Sequence, residues 1–252
     1  MITGILGRAS GSRTMLEVVA RRWRAVVRRG RAFSWRQCLL DQFMQSVVHP
    51  CPGIRFERLG SEYGGWAVPV DLIKREWICY CGGVGEDITF DLEVIRRTGC
   101  RIVAFDPTPR AVAHVAAVAA EEPRFRFLAV GLWSKDAERQ FFAPRDRRHV
   151  SHSIVNLQGT SDYFVARCRP ISALMRELGH SRIDLLKLDI EGAQHEVLRS
   201  MLRDGIRPTV VCVEFDQPDT VVRMYRTYRR LRKAGYRLVV RDGWNLTFLR
   251  YQ

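Results

Sequence analysis

The sequence predicts an α/β fold built on an open, mostly parallel sheet, and three observations carry that expectation. Asp184 to Glu191 reads DLLKLDIE and is closed by Gly192, an apolar strand that delivers two carboxylates to its C-terminal end. Far upstream, Gly82-Gly83-Val84-Gly85 follows the apolar run Trp77–Cys81 and opens a helix-like stretch. Strand-like and helix-like segments alternate between and after these two, the pattern of a parallel sheet with helical crossovers. Such sheets bind small ligands outside the carboxyl ends of their strands. An enzyme with a small-molecule cofactor is the natural expectation.

The elements follow in order. The first dozen residues are rich in Gly, Ser and Arg and predict no structure. Thr14 with Glu17 three positions later is a helix-start pattern. From there Met15, Leu16, Val19, Trp23, Val26 and Val27 share one arc, opposed by Arg21, Arg24 and Arg28. A basic amphipathic helix over 14–31 suits an anionic membrane surface or a protein partner, and equally a stripe packed on the domain. A second apolar helix, Cys38 to Val48, is ended by His49-Pro50 and the Pro52-Gly53 turn. Residues 1–50 therefore read as a basic helical extension and 51–252 as the main domain. Within that domain the pattern gives a strand at 77–81, a helix at about 86–98, a strand at 101–105, a helix at 109–120 and a strand at 125–130. Ala137 to Phe142 adds a strand, and the polar stretch Arg145 to Cys168 reads as a loop over the site. Then come a helix at 170–179, a strand at 183–188, a helix at 191–204, a strand at 209–215 and a helix at 219–234. Tyr236–Val240 and Asn245–Tyr251 flank Asp242-Gly243, a hairpin signal. A terminal antiparallel hairpin sets this sheet apart from the plain doubly wound dinucleotide fold. It marks the seven-stranded, Rossmann-like class I methyltransferase sheet, mostly parallel with its last strand antiparallel.

Composition bounds the function. With 252 residues and 46% hydrophobic content the chain can bury a real core. No apolar run reaches the ~20 residues of a membrane span, and no secretory segment follows the early arginines. The net charge of +14 is uneven, because residues 1–36 hold nine arginines against one acid, Glu17. The local excess says more about partners than the total does. The seven cysteines are scattered, with no CxxC pair and no metal-ligand spacing. Cys79 and Cys81 fall on one side of a strand and read as small core hydrophobes. A reducing compartment, the cytoplasm, follows, with peripheral membrane attachment open to the basic arm.

The glycine turn discriminates between cofactors. Gly83-Val84-Gly85 lacks the third glycine of the dinucleotide fingerprint, since position 88 is Ile88. Glu86 and Asp87, expected on the first turn of the next helix, would repel a pyrophosphate by about 1 kcal/mol or more each. They are harmless or helpful to S-adenosyl-L-methionine, which has a sulfonium and no phosphate. As acids at a helix N-terminus they would also stabilise the helix dipole. Asp106, ending the second strand before Pro107, is placed to accept both ribose hydroxyls of an adenosine, or to form a turn.

Gly83-Val84-Gly85-Glu86-Asp87, Phe90-Asp91, Ala104-Phe105-Asp106-Pro107-Thr108-Pro109 and Asp184 through Ala193 together resemble the FkbM family of S-adenosylmethionine-dependent methyltransferases. The resemblance spans about Phe56 to Phe248. It implies a class I fold and, typically, O-methylation of a hydroxyl on a sugar or natural-product scaffold. Two departures stand out. Most class I enzymes carry an acid two residues before the first turn glycine, where this chain has Cys81; Glu86 or Asp87 would have to substitute, or affinity would be lower. Gln194 stands where the family usually has Glu.

Methyl transfer needs an aligned acceptor and a place for its proton. Asp189 and Glu191 end the fourth strand and are the candidates to orient or deprotonate a hydroxyl, or to hold a metal with it. Glu191 reads equally well as the first-turn acid of its helix. His152, in the loop His149-Val150-Ser151-His152-Ser153, is a candidate base that the resemblance also marks. Ser153, Glu214 and Asp216 are candidates for acceptor contact, and Tyr63-Gly64-Gly65-Trp66 for closing over the cofactor. Three other readings compete. An NAD oxidoreductase is opposed by Ile88 and the Glu86-Asp87 pair. A nucleic-acid methyltransferase fits the charge, yet Leu188-Asp189-Ile190-Glu191 replaces the Asn/Asp-Pro-Pro-aromatic tetrad of base-amino enzymes. A degenerate fold serving as a binding module through the arm predicts no cofactor affinity.

Overall fold

A computed structural model describes residues 35–119, 121–145, 152–156, 159–215 and 220–251. The expected helix over 14–31, His149 to Ser151 and Asp216 lie outside these residues. The chain divides between Met44 and Gln45 into two compact units. Helix α1, Trp35–Ser46, opens the described chain and ends ahead of His49-Pro50. The site belongs to the second unit.

That unit begins with an antiparallel hairpin, β1 (Glu57–Leu59) and β2 (Trp66–Val68). Strand β3 (Ile78–Gly82), helix α2 (Thr89–Thr98), β4 (Arg101–Phe105), helix α3 (Pro109–Val118) and β5 (Phe125–Leu128) follow. Three strands then form a small sheet of their own: β6 (Gly131–Leu132), β7 (Ala137–Phe142) and β8 (Tyr163–Arg169), in the order β6-β8-β7. Helix α4 (Ile171–Leu178), β9 (Leu185–Leu188), helix α5 (Gln194–Arg203), β10 (Val210–Glu214), helix α6 (Val221–Lys233), β11 (Tyr236–Asp242) and β12 (Asn245–Arg250) complete the domain.

The central sheet has seven strands in the order β11-β12-β10-β9-β3-β4-β5. Its pairs are parallel from β10 to β5, whereas β12 runs antiparallel to both β10 and β11. The fold is thus the Rossmann-like class I methyltransferase sheet that the terminal hairpin predicts. Because both faces are covered, strands such as β9 and β10 read as nearly unbroken apolar runs. Cys79 and Cys81 do face one way, into a core with Phe90, Val94, Ala104 and Leu185.

Four expectations are corrected. Arg145 to Cys168 is not all loop: β8 occupies Tyr163–Arg169, where half-exposed alternating side chains conceal a strand. The β1–β2 hairpin and β6 were not expected, being too short to show a period. Helix α2 begins at Thr89 rather than at 86, because Asp87 spends its carboxylate on Thr89 instead of joining the turn. Helix α5 begins at Gln194, so Glu191 is no first-turn acid; it lies three residues earlier in the left-handed region, at φ 45°.

Candidate functional site

The ends of β3, β4 and β9 meet at one edge of the sheet, beneath an open cleft. Gly83, Gly85, Glu86, Asp87, Asp106, Pro107, Asp189, Glu191 and His152 all line it. The structure therefore gathers nine of the twelve sequence candidates around a single space.

The glycine turn is shaped by close backbone approach. Gly83 has φ 75°, and a Cβ there would sit 1.6 Å from the Asp189 carbonyl oxygen. Only glycine fits, for conformational and steric reasons together. The Gly83 amide donates to the Phe105 carbonyl at 2.9 Å, and the Asp189 amide to the Gly82 carbonyl at 3.0 Å. These two bonds lock the three strand ends to one another.

Asp106 has a different position from the one expected. Its Oδ2 accepts from the amides of Val84 (3.1 Å) and Gly85 (3.0 Å). Its Oδ1 accepts from the Thr108 amide (2.8 Å) and hydroxyl (2.7 Å). A carboxylate offers about four lone-pair sites, and protein donors take all of them. In this geometry Asp106 accepts from the turn rather than from a ribose; it fixes the turn that faces the cleft.

Glu86 and Asp87 sit on the turn itself. Glu86 forms a forked pair with Arg110 at 3.0 and 2.5 Å. Asp87 accepts from the Ser61 hydroxyl and from the Thr89 amide and hydroxyl. Burial pushes its pKa up, but these bonds outweigh burial and hold the carboxyl below its ordinary value. Ser61 in turn accepts from the amides of Tyr63 and Gly64. That chain of bonds docks the β1–β2 loop at the cleft mouth, with Tyr63 76% exposed. Trp66 does not close over the cleft, because it is a core residue at 1% exposure.

The residue missed from the sequence is Lys187. It is buried, lines the cleft, and has its Nζ 3.5 Å from Asp189 Oδ2 and 3.3 Å from the Gly83 carbonyl. Burial pulls its pKa down, yet the carboxylates of Asp189 and Asp91 outweigh that and hold it above the ordinary lysine value. A lysine inside the apolar run of β9 was the available signal, since Lys is almost never buried unpaired. Behind it Asp91 is buried in α2, with one oxygen lacking a hydrogen-bond partner; desolvation raises its pKa. Cys81, at the position where most class I enzymes have an acid, faces this interior, and burial pushes its thiol well up.

The far wall comes from the small sheet. Leu132 and Phe141 supply apolar surface, and His152 lines the cleft, its ring edge-to-face with Phe164 at 5.2 Å between centroids. Ser153 is not a lining residue. It is buried, and its hydroxyl lies 2.5 Å from the Val155 carbonyl and 2.6 Å from the Glu191 carbonyl. With one proton to share, it tethers the segment rather than offering itself to an acceptor. Glu214 ends β10 opposite Asn245 and also lies outside the lining.

The profile of the methyltransferase FkbM domain matches residues 81–238, from the end of β3 into β11. The chain belongs to the FkbM methyltransferase family. Membership makes it an S-adenosylmethionine-dependent methyltransferase. No protein of curated function matches the sequence. Among solved structures it is similar to the precorrin-6y C5,15-methyltransferase of Geobacter metallireducens, with 12% identity, 72% of this chain and 85% of that one covered, and a TM-score of 0.41. It is also similar to Aeropyrum pernix fibrillarin with natively bound S-adenosyl-L-methionine, with 12% identity, 80% and 83% covered, and a TM-score of 0.40. A third is an rRNA methylase from Streptococcus thermophilus, with 8% identity, 73% and 92% covered, and a TM-score of 0.40.

The cleft's chemistry fits this cofactor. Five carboxylates, Glu86, Asp87, Asp106, Asp189 and Glu191, line it against one cation, Lys187. Such a lining attracts a sulfonium and an ammonium and repels a pyrophosphate.

Proposed function

We propose that this FkbM methyltransferase methylates a hydroxyl group of a small-molecule or carbohydrate acceptor, with Asp189 orienting the hydroxyl and taking up its proton. The observation that carries this reading is the place of Asp189: a carboxylate 29% exposed, at the end of a buried strand, beside an ammonium and facing the same space as the glycine turn. S-adenosylmethionine held there would supply a methyl group activated by its sulfonium. Every other task falls to the chain. Gly83, Gly85, Glu86, Asp87 and Pro107 form the binding surface, and Asp106 keeps the turn in shape. Lys187, its Nζ 3.5 Å from Asp189 Oδ2, aims that carboxylate. Glu191, in its left-handed conformation, adds a second acceptor for the hydroxyl, and His152 on the opposite wall is the alternative base. The absence of a Pro-Pro-aromatic segment after β9 favours a hydroxyl over a base amino group.

Calorimetric titration with S-adenosylhomocysteine, with NAD and NADP as controls, tests the cofactor half. Micromolar binding of S-adenosylhomocysteine alone is expected. No binding by a folded protein would overturn catalysis and leave a scaffold. The acceptor half is tested by screening hydroxylated compounds and then comparing two variants. Asp189→Ala should lower turnover by about 10²–10⁴-fold with binding nearly kept, while Asp106→Ala should weaken binding. Equal loss of binding in both variants would sink the division of roles.

A further inference from the structure

A second, open cleft lies between α5 and α6 and has the opposite character. Among the described residues, Arg199, Arg223, Arg226 and Arg230 line it against one carboxylate, Glu196. Positions 223, 226, 227 and 230 share one face of α6, at the i, i+3, i+4, i+7 spacing of a helix. Like charges so placed destabilise a helix, and of these arginines only Arg230 reaches the last turn, where the helix dipole favours a cation. Arg199 is paired with Glu196 at 2.5 Å, and Arg223 donates to the Gly192 carbonyl at 3.0 Å. Arg226 and Arg230 are exposed and make no side-chain hydrogen bond or ion pair among the described residues. The floor is polar, because buried His195 Nδ1 and Thr227 Oγ1 lie 2.7 Å apart. The first turn of α6, free of acids and capped by Thr220, closes one end.

The two clefts share a wall. Glu191 and Ala193 line the acidic one, His195 and Glu196 the basic one, and Arg223 grips the carbonyl of Gly192 between them. Planar guanidiniums bind phosphoryl oxygens in forked pairs, and the acidic cleft would reject the same group. We infer that the α5–α6 cleft binds a phosphoryl group carried by the methyl acceptor, so that the substrate is a phosphorylated hydroxy compound. The inference rests on the proposed hydroxyl methylation for its meaning, but anion binding is measurable without turnover.

The test is titration of the full chain with inorganic pyrophosphate, inorganic phosphate and a hexose phosphate. Arg226→Gln/Arg230→Gln is compared with Arg229→Gln/Arg232→Gln, which removes the same charge outside the cleft lining. Saturable binding is expected, weakened about tenfold or more by the first pair and nearly unchanged by the second. The hexose phosphate should bind no more weakly than phosphate. Equal weakening by both pairs, absence of saturable binding, or rejection of the hexose phosphate would overturn the proposal. A single-stranded RNA that binds more tightly than pyrophosphate, and loses affinity equally in both pairs, would overturn it in favour of a general nucleic-acid surface. S-adenosylhomocysteine titration of the same samples separates the failures. Its binding without any anion binding sinks the cleft alone; anion binding without it sinks the methyltransferase reading.

Discussion

The two clefts on either side of residues 191–196 are built on opposite principles. In the acidic cleft, charge is held still. Asp106 has its acceptor sites filled by the turn, Asp87 is bound from Ser61 and Thr89, and Asp189 faces a buried ammonium. In the basic cleft, charge is left loose, with Arg226 and Arg230 standing in solvent. A site that must place a reacting carbon within a narrow range needs the first kind of order, because misplacement there costs rate. A site that only captures an anion gains from mobile side chains and long-range attraction. The carboxylates of the acidic cleft also repel a phosphoryl group.

The comparison breaks most severely at Gly83. Gly83→Ala puts a methyl group into the Asp189 carbonyl and a β-carbon into a left-handed backbone. Overpacking and backbone strain together should cost about 4 kcal/mol. Chemical denaturation would show this, with S-adenosylhomocysteine binding lost in whatever protein folds. Retained stability and binding would mean that the three strand ends are not locked as described.

Lys187→Met comes next. It keeps the apolar stem of the side chain but leaves Asp91 and Asp189 without their cation, so the destabilisation should be about 3 kcal/mol. The sign of the pH effect is fixed by the direction of the shift. Since the folded pKa of Lys187 lies above its ordinary 10.5, its stabilisation is fully present below that value and is lost as pH rises through the folded pKa. The variant should therefore unfold more easily at neutral pH, with a flatter alkaline limb. A wild-type alkaline limb in the variant would show that the ammonium contributes little.

Lys187 also shows what the sequence discloses and what it conceals. Apolar runs and glycine turns are enough to anticipate the central parallel strands along the chain, because covered strands leave a plain pattern. The terminal hairpin was equally legible from Asp242-Gly243. The β1–β2 and β6–β8 pairings were not, since strands of two or three residues have no period and β8 alternates half-exposed side chains. At the site, residue types were readable but orientation was not. Asp106 looks the same in sequence whether it faces a ribose or four protein donors. Ser153 looks like a ligand until its hydroxyl is seen between two carbonyls. A lysine among leucines was the one anomaly in plain sight, and its meaning depended on carboxylates arriving from α2 and from the end of its own strand.

Ser153→Ala loosens the wall shared with the acidic cleft. Losing one buried hydroxyl contact should cost about 1 kcal/mol. Its clearer signature is kinetic: KM for the acceptor should rise while S-adenosylhomocysteine affinity holds, because the tether reaches the Glu191 carbonyl and not the glycine turn. An equal fall in cofactor affinity would show that the two walls move as one.

The smallest effect is expected at Asp87, and its sign is informative. Its folded pKa lies below the ordinary 3.8 because Ser61 and Thr89 donate to the ionised form. Stability from this group is present above that value and is lost as pH falls through the folded pKa. Asp87→Asn should thus lower neutral stability slightly and flatten acid unfolding below about pH 4. It also removes one of the five cleft carboxylates while leaving α2 in place. If S-adenosylhomocysteine affinity drops and sinefungin, whose amine is cationic, loses still more, the cleft's acidity is acting on ligand charge. If both lose equally, Asp87 serves through the loop that Ser61 docks, and the order in the acidic cleft matters more than its sign.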